Sequence, residues 1–537
     1  MYHEDNCKVS KEFLAQARDA FERYKGDKEM LTQRIRENME FYKGAYARIY
    51  DEKTNKTTPA TAFVLSAVEN KYADYLDNFP QANFLAREEG DEETARLLSK
   101  IMPAQLEASG LRKAYKQNAR QKLICGTGAY GVFWNGNEKN IHIRRLDIMS
   151  VFCDMNVDDI QESRFVFVVS AVDNEKLKKM YPKYSDMFDG DVTMDGYEEQ
   201  KRMDGCSEIV DCYYKTIEGK LHLLKFCNDV VIDSTEGVEG YEEGLYKHGR
   251  FPIVLDVMYP DTKGPFGFST VDIVKNPQRY IDMLDGAILK NALLSSHPKW
   301  IVKKSADVNI KELTNMENEV VEAQQVNEDA IRKMEITSVS QNVMEHRQTK
   351  IEEMKEVAAN RDFAQGGTTG GVTAAQAITA LQEAGNKTSR ALIDDSYDAY
   401  KEIVMLAIEL MREFFDHDRV YRITGVDGTA EYRNFSRSNL TVAKPVTDAL
   451  GFVKYSEYRD IVFDIDIVPQ RQNAFQKESQ NQLFMTLWQS GFFAPGNTEV
   501  ALIALKNMNF DGKDALMQDL MELQSKQAQQ TPTPQGV

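Results

Sequence analysis

Residues 363–415 read FAQGGTTGGVTAAQAITALQEAGNKTSRALIDDSYDAYKEIVMLAIELMREFF, and their reading decides the fold. Four of the six residues 366–371 are glycine: Gly366, Gly367, Gly370 and Gly371. Glycine visits either sign of φ and loses most entropy when fixed, so this stretch predicts a flexible loop. Thr373 offers an N-cap, and a helical pattern runs from there to about Phe415. At 1.5 Å per residue, roughly 43 residues give a helix of about 65 Å, with Gly385 as the place for a kink. Such a length is unusual in a globular enzyme and common in elongated assemblies. A linker between packed helices rarely needs four glycines; a loop that must move, or let something pass closely, does.

Working outward, a further helix is predicted from about Ser338 to Asn360, with Val343, Arg347, Ile351, Met354 and Ala358 on one mixed face. Before it, KWIVKK, VNIKELTNM and EVVEA suggest a strand, a small helix and a strand within 299–336. Asn276-Pro277 reads as a helix start, with Asn as N-cap and Pro at the first helical position; Ile281, Leu284, Ile288 and Ala292 come after it at helical spacing. His297-Pro298 stops that helix. Residues 130–259 have another texture: GVFW, IHIRRL, RFVFVV, EIVDCYYKTI, LHLLKF and FPIVLDVMY alternate with turns, which predicts a β-rich region with hairpins. Its run FVFVVSAV (165–172) is far too short to span a membrane and reads as a buried strand. The acidic stretch 186–204 reads as an exposed excursion. The first 125 residues read as helical: 29–50 through Leu31, Ile35, Met39, Tyr42 and Tyr46, then 61–75, then 91–125 with a break near Pro103. Residues 419–469 return to strands (RVYRITG, LTVAK, IVFDIDIVP). From about Asn473 a helical tail carries Leu483, Leu487 and Trp488, and ends in the disorder-prone QSKQAQQTPTPQGV.

At 537 residues the chain is long enough for two to four structural regions. Its 42% hydrophobic content supports a sizeable core. The 66 basic residues against 84 acidic ones leave a net charge of −18. That balance argues against tight non-specific DNA binding, which depends on lysines and arginines neutralising phosphates; it leaves open a protein that DNA slides past. The six cysteines form no CxxC pair, and with seven scattered histidines no zinc pattern is present. Few cysteines in a long chain fit a reducing cytoplasm. MYHEDNCKVS has no apolar h-region, so no secretory signal is visible.

Several motifs invite a catalytic reading. Residues 126–131, GTGAYG, match GxGxxG. A dinucleotide site needs a strand before the glycines and a helix after, so that pyrophosphate meets a helix N-terminus; here a basic helix (RKAYKQNARQK) precedes and the strand GVFW comes after. A helix-to-strand turn using glycine for positive φ is the better account. No GxxxxGK[ST], GxSxG or HExxH occurs. Asp394-Asp395 and the Asp464/Asp466 pair lack a third ligand and read as solvated acids, so no metal and no cofactor are expected. Trp300, Lys303 and Lys304 put an aromatic beside cations on a short strand, suiting a partner or phosphate contact and a plain hairpin equally.

Taken in order, these segments resemble the portal, or head-to-tail connector, of tailed bacteriophages. The local text is similar too: CGTGAYGVFW after a basic helix, GPFGFSTVDIVKNPQRYIDML before the first of two paired helices, and GGVTAAQAITALQEAGNKTSR opening the long one. The resemblance covers nearly the whole chain, apart from about 180–205 and the extreme C-terminus. It implies an α+β portal-type fold with an α/β wing, two stem helices, a small αβ clip, one long helix behind a glycine-rich tunnel loop, and a helical C-terminal crown. The implied divisions are 1–264 wing, 265–296 first stem helix, 297–337 clip, 338–362 second stem helix, 363–372 tunnel loop, 373–416 long wing helix, 417–472 wing strands and 473–537 crown with a disordered tail. The tunnel loop would comprise Gln365, Gly366, Gly367, Thr368, Thr369, Gly370 and Gly371. Lys350 and Arg361 are candidates for channel cations by position only, and Trp300, Lys303 and Lys304 would stand on the clip where the terminase docks. The implied partners are further copies of the chain in a ring of twelve, double-stranded DNA in the channel, the large terminase subunit, a head-to-tail adaptor, and the major capsid and scaffolding proteins. The implied location is the virion's unique vertex, with host cytoplasm during assembly and no membrane. Two rival readings stand beside it: another phage minor capsid protein, or a nucleotide- or metal-dependent enzyme of nuclease class.

Overall fold

The computed structural model describes residues 9–44, 61–195, 200–296, 300–302, 331–333, 339–358, 387–424, 430–447 and 453–469, with 486, 489 and 490 beyond them. It is mixed helix and sheet. The chain divides into two compact units, one from residues 1–32, 71–268 and 389–537, the other from 33–70 and 269–388.

Nine α-helices occur among the described residues: α1 (Lys11–Asp27), α2 (Glu29–Lys43), α3 (Phe63–Asp77), α4 (Glu92–Ala108), α5 (Leu111–Cys125), α6 (Asn174–Met180), α7 (Thr270–Ser296), α8 (Gln341–Val357) and α9 (Lys387–Phe414). The first unit is built on two antiparallel sheets. One has five strands in the order Val230–Ser234, Leu221–Cys227, Cys206–Lys215, Phe165–Asp173, Val151–Cys153. The other has three, in the order Ile253–Val257, Thr127–Asn135, Asn140–Leu146. The strand Phe165–Asp173 explains its own unbroken apolar text. Phe165, Phe167 and Val169 lie in one core with Phe21, Tyr24 and Ala17 of α1. Its intervening Val166 and Val168 are buried on the other face. A strand covered on both sides needs no polar alternation. Phe21 meets the rings of Phe152 and Phe167 at centroid distances of 5.4 and 5.3 Å, the tilted and edge-on contacts that aromatic quadrupoles favour.

All six apolar runs of residues 130–259 fall on strands as expected. Four other expectations need correction. The strand Pro80–Ala86 interrupts the N-terminal region read as helical; it pairs antiparallel with Phe463–Pro469, from Pro80 opposite Pro469 to Ala86 opposite Phe463. Pairing across nearly four hundred residues leaves no local signal. The 91–125 stretch does not break near Pro103, which lies inside α4; it breaks at Gly110, whose φ of 84° takes the left-handed turn that side chains resist. Third, α2 ends at Lys43, where Gly44 takes φ +65°, and residues 45–50 lie outside the described residues. Fourth, α7 starts seven residues before Pro277, which it carries internally. Its true start is a reciprocal cap. The Asp272 backbone N–H donates to Ser269 Oγ at 3.2 Å, and the Ser269 N–H donates to Asp272 Oδ2 at 2.8 Å. That cap outweighs the proline signal, and Pro277 costs the helix one donor.

Of the long helix, Lys387–Phe414 is described; residues 373–386, Gly385 included, lie outside the described residues. The excursion at 186–204 contains a hairpin, Val192–Asp195 against Gln200–Met203. Between α7 and α8 the strands Trp300–Val302 and Ile331–Lys333 pair antiparallel; the small helix expected between them lies outside the described residues, as does the tail from Asn473 apart from the three isolated positions.

Candidate functional site: the helix pair and the elements that seat the long helix

The sequence-predicted residues are placed unevenly. Gln365, Gly366, Gly367, Thr368, Thr369, Gly370, Gly371 and Arg361 lie outside the described residues, as do Lys303 and Lys304. Trp300 opens the short hairpin, opposite Lys333. Lys350 lies on α8 and is not a bare cation: its ammonium meets Glu353 at 2.6 Å, one helical turn on, with the lysine side chain 28% exposed.

The second unit holds α7 and α8 packed against each other. Val274, Gln278 and Ile281 are buried on α7; Ile351, Met354 and Ala358 are buried on α8. Beyond Ile281, Asp285 receives the Arg347 guanidinium in a fork, with Nη2 to Oδ2 at 3.1 Å and Nε on Oδ1. The buried residues of α7 precede Asp285 while those of α8 come after Arg347, so the helices run antiparallel. Both sets step by four, three and four residues, the spacing of a coiled-coil seam. The fork holds the Arg347 guanidinium charged, raising its pKa. Elsewhere in this unit Glu37 takes Lys275 at 2.7 Å and also Arg279; the hydrogen bond from Lys275 holds its carboxyl below the usual range. Gln278 donates to the Thr61 carbonyl at 2.7 Å and to Asp282 at 2.9 Å. The sequence pattern already places Arg347, Ile351, Met354 and Ala358 on one face; that Asp285 answers Arg347 is not readable from spacing.

In the first unit, α9 is seated by a polar cluster that leaves no signal in the sequence. Lys122 of α5 is 0% exposed, and its Nζ lies 2.5 Å from Asp256 Oδ1 and 2.6 Å from Ser396 Oγ of α9. Ser396 donates in turn to Asp256 at 3.1 Å. Burial pulls the Lys122 pKa down, but Asp256 and the neighbouring Tyr75 outweigh it, so the net shift is upward and the ammonium stays charged. Tyr75 donates to the Leu392 carbonyl at 2.9 Å, and the Trp134 and Phe414 rings stack at 4.7 Å. The long helix is thus held at both ends of its described length.

The GxGxxG text resolves into packing. Gly126 ends α5 at φ +88°, where a Cβ would lie 2.5 Å from the Gly267 carbonyl oxygen. Gly128 passes against Asn118, whose amide exchanges hydrogen bonds with both backbone groups of Ala129 at 2.9 and 3.1 Å. A Cβ on Gly131 would strike the Phe133 ring at 2.3 Å. A helix leads into these glycines and a strand leads out, so no helix N-terminus faces them. Asp394 and Asp395 are exposed on α9, and Asp464 pairs with Arg87 at 2.7 Å. Among the described residues no group of three His, Cys, Asp or Glu side chains is placed to hold a metal ion, and no helix is long and apolar enough to cross a membrane.

A cleft of about 1110 Å³ opens beside the five-stranded sheet, lined by Phe13, Phe165, Tyr214, Lys215, His222 and Glu236 among others. The Tyr214 hydroxyl donates to Glu236 there at 2.5 Å. Its cations and carboxylates are interspersed, which suits no single ligand charge.

Comparison with curated proteins gives no match. Comparison with protein-family models gives one that spans residues 2–536, described as phage P22-like portal protein. The match runs through both units, the helix pair and the seated long helix included, and on that extent the chain belongs to the phage P22-like portal protein family.

Proposed function

We propose that this chain is the subunit of a ring at one capsid vertex, through which double-stranded DNA enters during packaging and leaves on ejection. The family match across residues 2–536 carries this reading; portal families imply an oligomeric ring associated with the capsid. In it, 1–264, the long helix 373–416 and the strands 417–472 form the wing, 265–296 and 338–362 the stem, 297–337 the clip for terminase and adaptor, and 473–537 the crown. The role is structural: DNA is conducted, and no bond is made or broken by the protein. Twelve chains at −18 carry a formal −216, which repels DNA at long range and suits passage over capture. Passage is independent of sequence, so no base-reading element is needed.

In this reading the 363–372 loop meets DNA, and its glycines let it follow a phosphate helix whose symmetry does not match the ring. The test is packaging by rings carrying Gly366→Pro with Gly370→Pro. Intact rings that package poorly are expected; normal packaging by such rings would remove the moving loop. The enzyme reading is weakened by the inverted order around Gly126, Gly128 and Gly131. It predicts a higher melting temperature with nucleotide or divalent ion, whereas the portal reading predicts none.

A further inference from the structure

Gly126 and Gly131 stand where the fold leaves no room for a Cβ; Gly136 stands where nothing demands a glycine. A Cβ there would meet no atom within 4 Å, and its φ is not positive. The turn it opens, residues 136–139 between the strands Thr127–Asn135 and Asn140–Leu146, does hold a left-handed residue, but that is Lys139 at φ +48°. The glycine is therefore not there for the turn's conformation. The residue before it is Asn135, and this is the single Asn-Gly pair of the chain.

An Asn-Gly pair has a chemistry of its own. The backbone nitrogen after an asparagine can attack the side-chain carbonyl carbon, and glycine, lacking a Cβ, hinders that approach least. Asn135 is arranged for it. Its Oδ1 accepts the N–H of Asn137 at 3.1 Å and that of Glu138 at 3.4 Å. Two donors on one carbonyl oxygen polarise its carbon and stabilise the oxyanion formed on attack, as an oxyanion hole does. The Gly136 N–H donates no hydrogen bond among the described residues, and Gly136, Asn137, Glu138 and Lys139 are exposed to water.

We infer that Asn135-Gly136 is a site of spontaneous self-modification, and that the change loosens the seat of α9 at its C-terminal end. The Gly136 nitrogen gives its proton to hydroxide and bonds to Asn135 Cγ. The tetrahedral carbon expels the side-chain nitrogen as ammonia, leaving a succinimide. Water then opens either carbonyl of that ring. One product is an aspartate; the other is an isoaspartate, whose main chain runs through the former side chain and is one carbon longer. Nothing is oxidised, and water is the sole co-reactant.

The position gives the reaction its consequence. Trp134 stacks on Phe414 at 4.7 Å and donates its backbone N–H to the Tyr246 hydroxyl at 3.1 Å. Across the ladder from Asn135, Asn140 Oδ1 accepts from Gln105 at 2.9 Å. The Lys139 carbonyl takes Arg419, whose guanidinium lies 3.6 Å from the centre of the Phe415 ring. One hairpin tip thus grips the end of α9 through both of its strands, and a longer main chain at residue 135 shifts the two grips against each other.

The test is peptide mapping of the full-length protein aged at mildly alkaline pH in heavy-oxygen water, folded and in urea. Gly136→Ala, whose Cβ the turn accommodates, is aged beside it. Asn135 is expected to convert with uptake of a heavy oxygen, at least as fast folded as unfolded, and about tenfold more slowly in Gly136→Ala. Hydrogen exchange at the C-terminal end of α9 is then faster in aged wild type than in aged Gly136→Ala. A folded chain that keeps its asparagine while the unfolded one loses it would overturn the site. Equal rates in wild type and Gly136→Ala would rule out attack by the Gly136 nitrogen. Conversion with unchanged exchange would sever the link to α9.

Discussion

Lys122 is the residue whose loss this structure marks most heavily. Its ammonium is buried against Asp256 and Ser396, so Lys122→Met leaves a carboxylate in the interior without its cation. Breaking one side of a buried pair costs about 3–5 kcal/mol, while replacing both partners by apolar groups is often neutral. Thermal denaturation should therefore show Lys122→Met far below wild type, with Lys122→Met/Asp256→Leu recovering most of the loss. Equal stability of the single variant and wild type would mean the pair does not fasten α9. His248 makes an opposite kind of demand. Its ring stacks on Tyr246, and its Nδ1 accepts from the Arg250 N–H at 3.0 Å. Burial first, then the Arg250 and Lys215 cations, lower its pKa to about 4. Because the folded value lies below the usual one near 6.5, the unfolded chain binds the proton more readily. The neutral ring's contribution is complete above that value and is lost as pH falls towards 4. Relative to His248→Asn, which keeps an acceptor for the Arg250 N–H but does not titrate, wild type should lose on the order of 2 kcal/mol between pH 7 and 4. Denaturation at the two pH values checks this, and parallel curves would count against it. Neither residue was legible in the sequence: Lys122 closes the basic run RKAYKQNARQK, whose text carries no sign of burial, and only the fold brings residues 122, 256 and 396 together. Gly126 was legible, because a helix leading into a strand through glycine already implies the positive φ found there.

Elements were legible where their signal was local. The β-rich middle and the α8 face came through because burial imposes a period of 2 or 3.6 on the text. The strand Pro80–Ala86 did not, because its partner is 463–469 and its own seven residues sit between helices. The α7 start is hidden because Asn276-Pro277 mimics a cap, while the working cap at Ser269 uses an Asp three residues on. Ser269→Ala should cost about 1 kcal/mol, the usual worth of an N-cap, and Asn276→Ala, exposed within the helix, close to nothing. Stability measurements on the two variants separate the cap from its decoy; the reverse order would restore the start at Pro277. Arg347→Ala removes the forked pair to Asp285 and should loosen the helix pair by about 1–3 kcal/mol. Hydrogen exchange along 270–296 and 341–357 reports this as faster opening of both helices together.

For the whole molecule, fold class and family were legible from the order of segments, since no single motif specifies them and the entire chain does. The parts that would meet DNA and terminase are legible only as composition: four glycines at 366–371, and an aromatic beside lysines at 300–304. Assembly joins all the scales, because a net charge of −18 per copy opposes association and the contacts between copies must overcome it. The most direct measurement is the mass and shape of the purified full-length protein, by native mass spectrometry with negative-stain microscopy. A ring with a central hole and a mass near 736 kDa, twelve copies of 61.3 kDa, is the predicted result. Monomers or compact dimers at every concentration, with and without scaffolding protein, would contradict it.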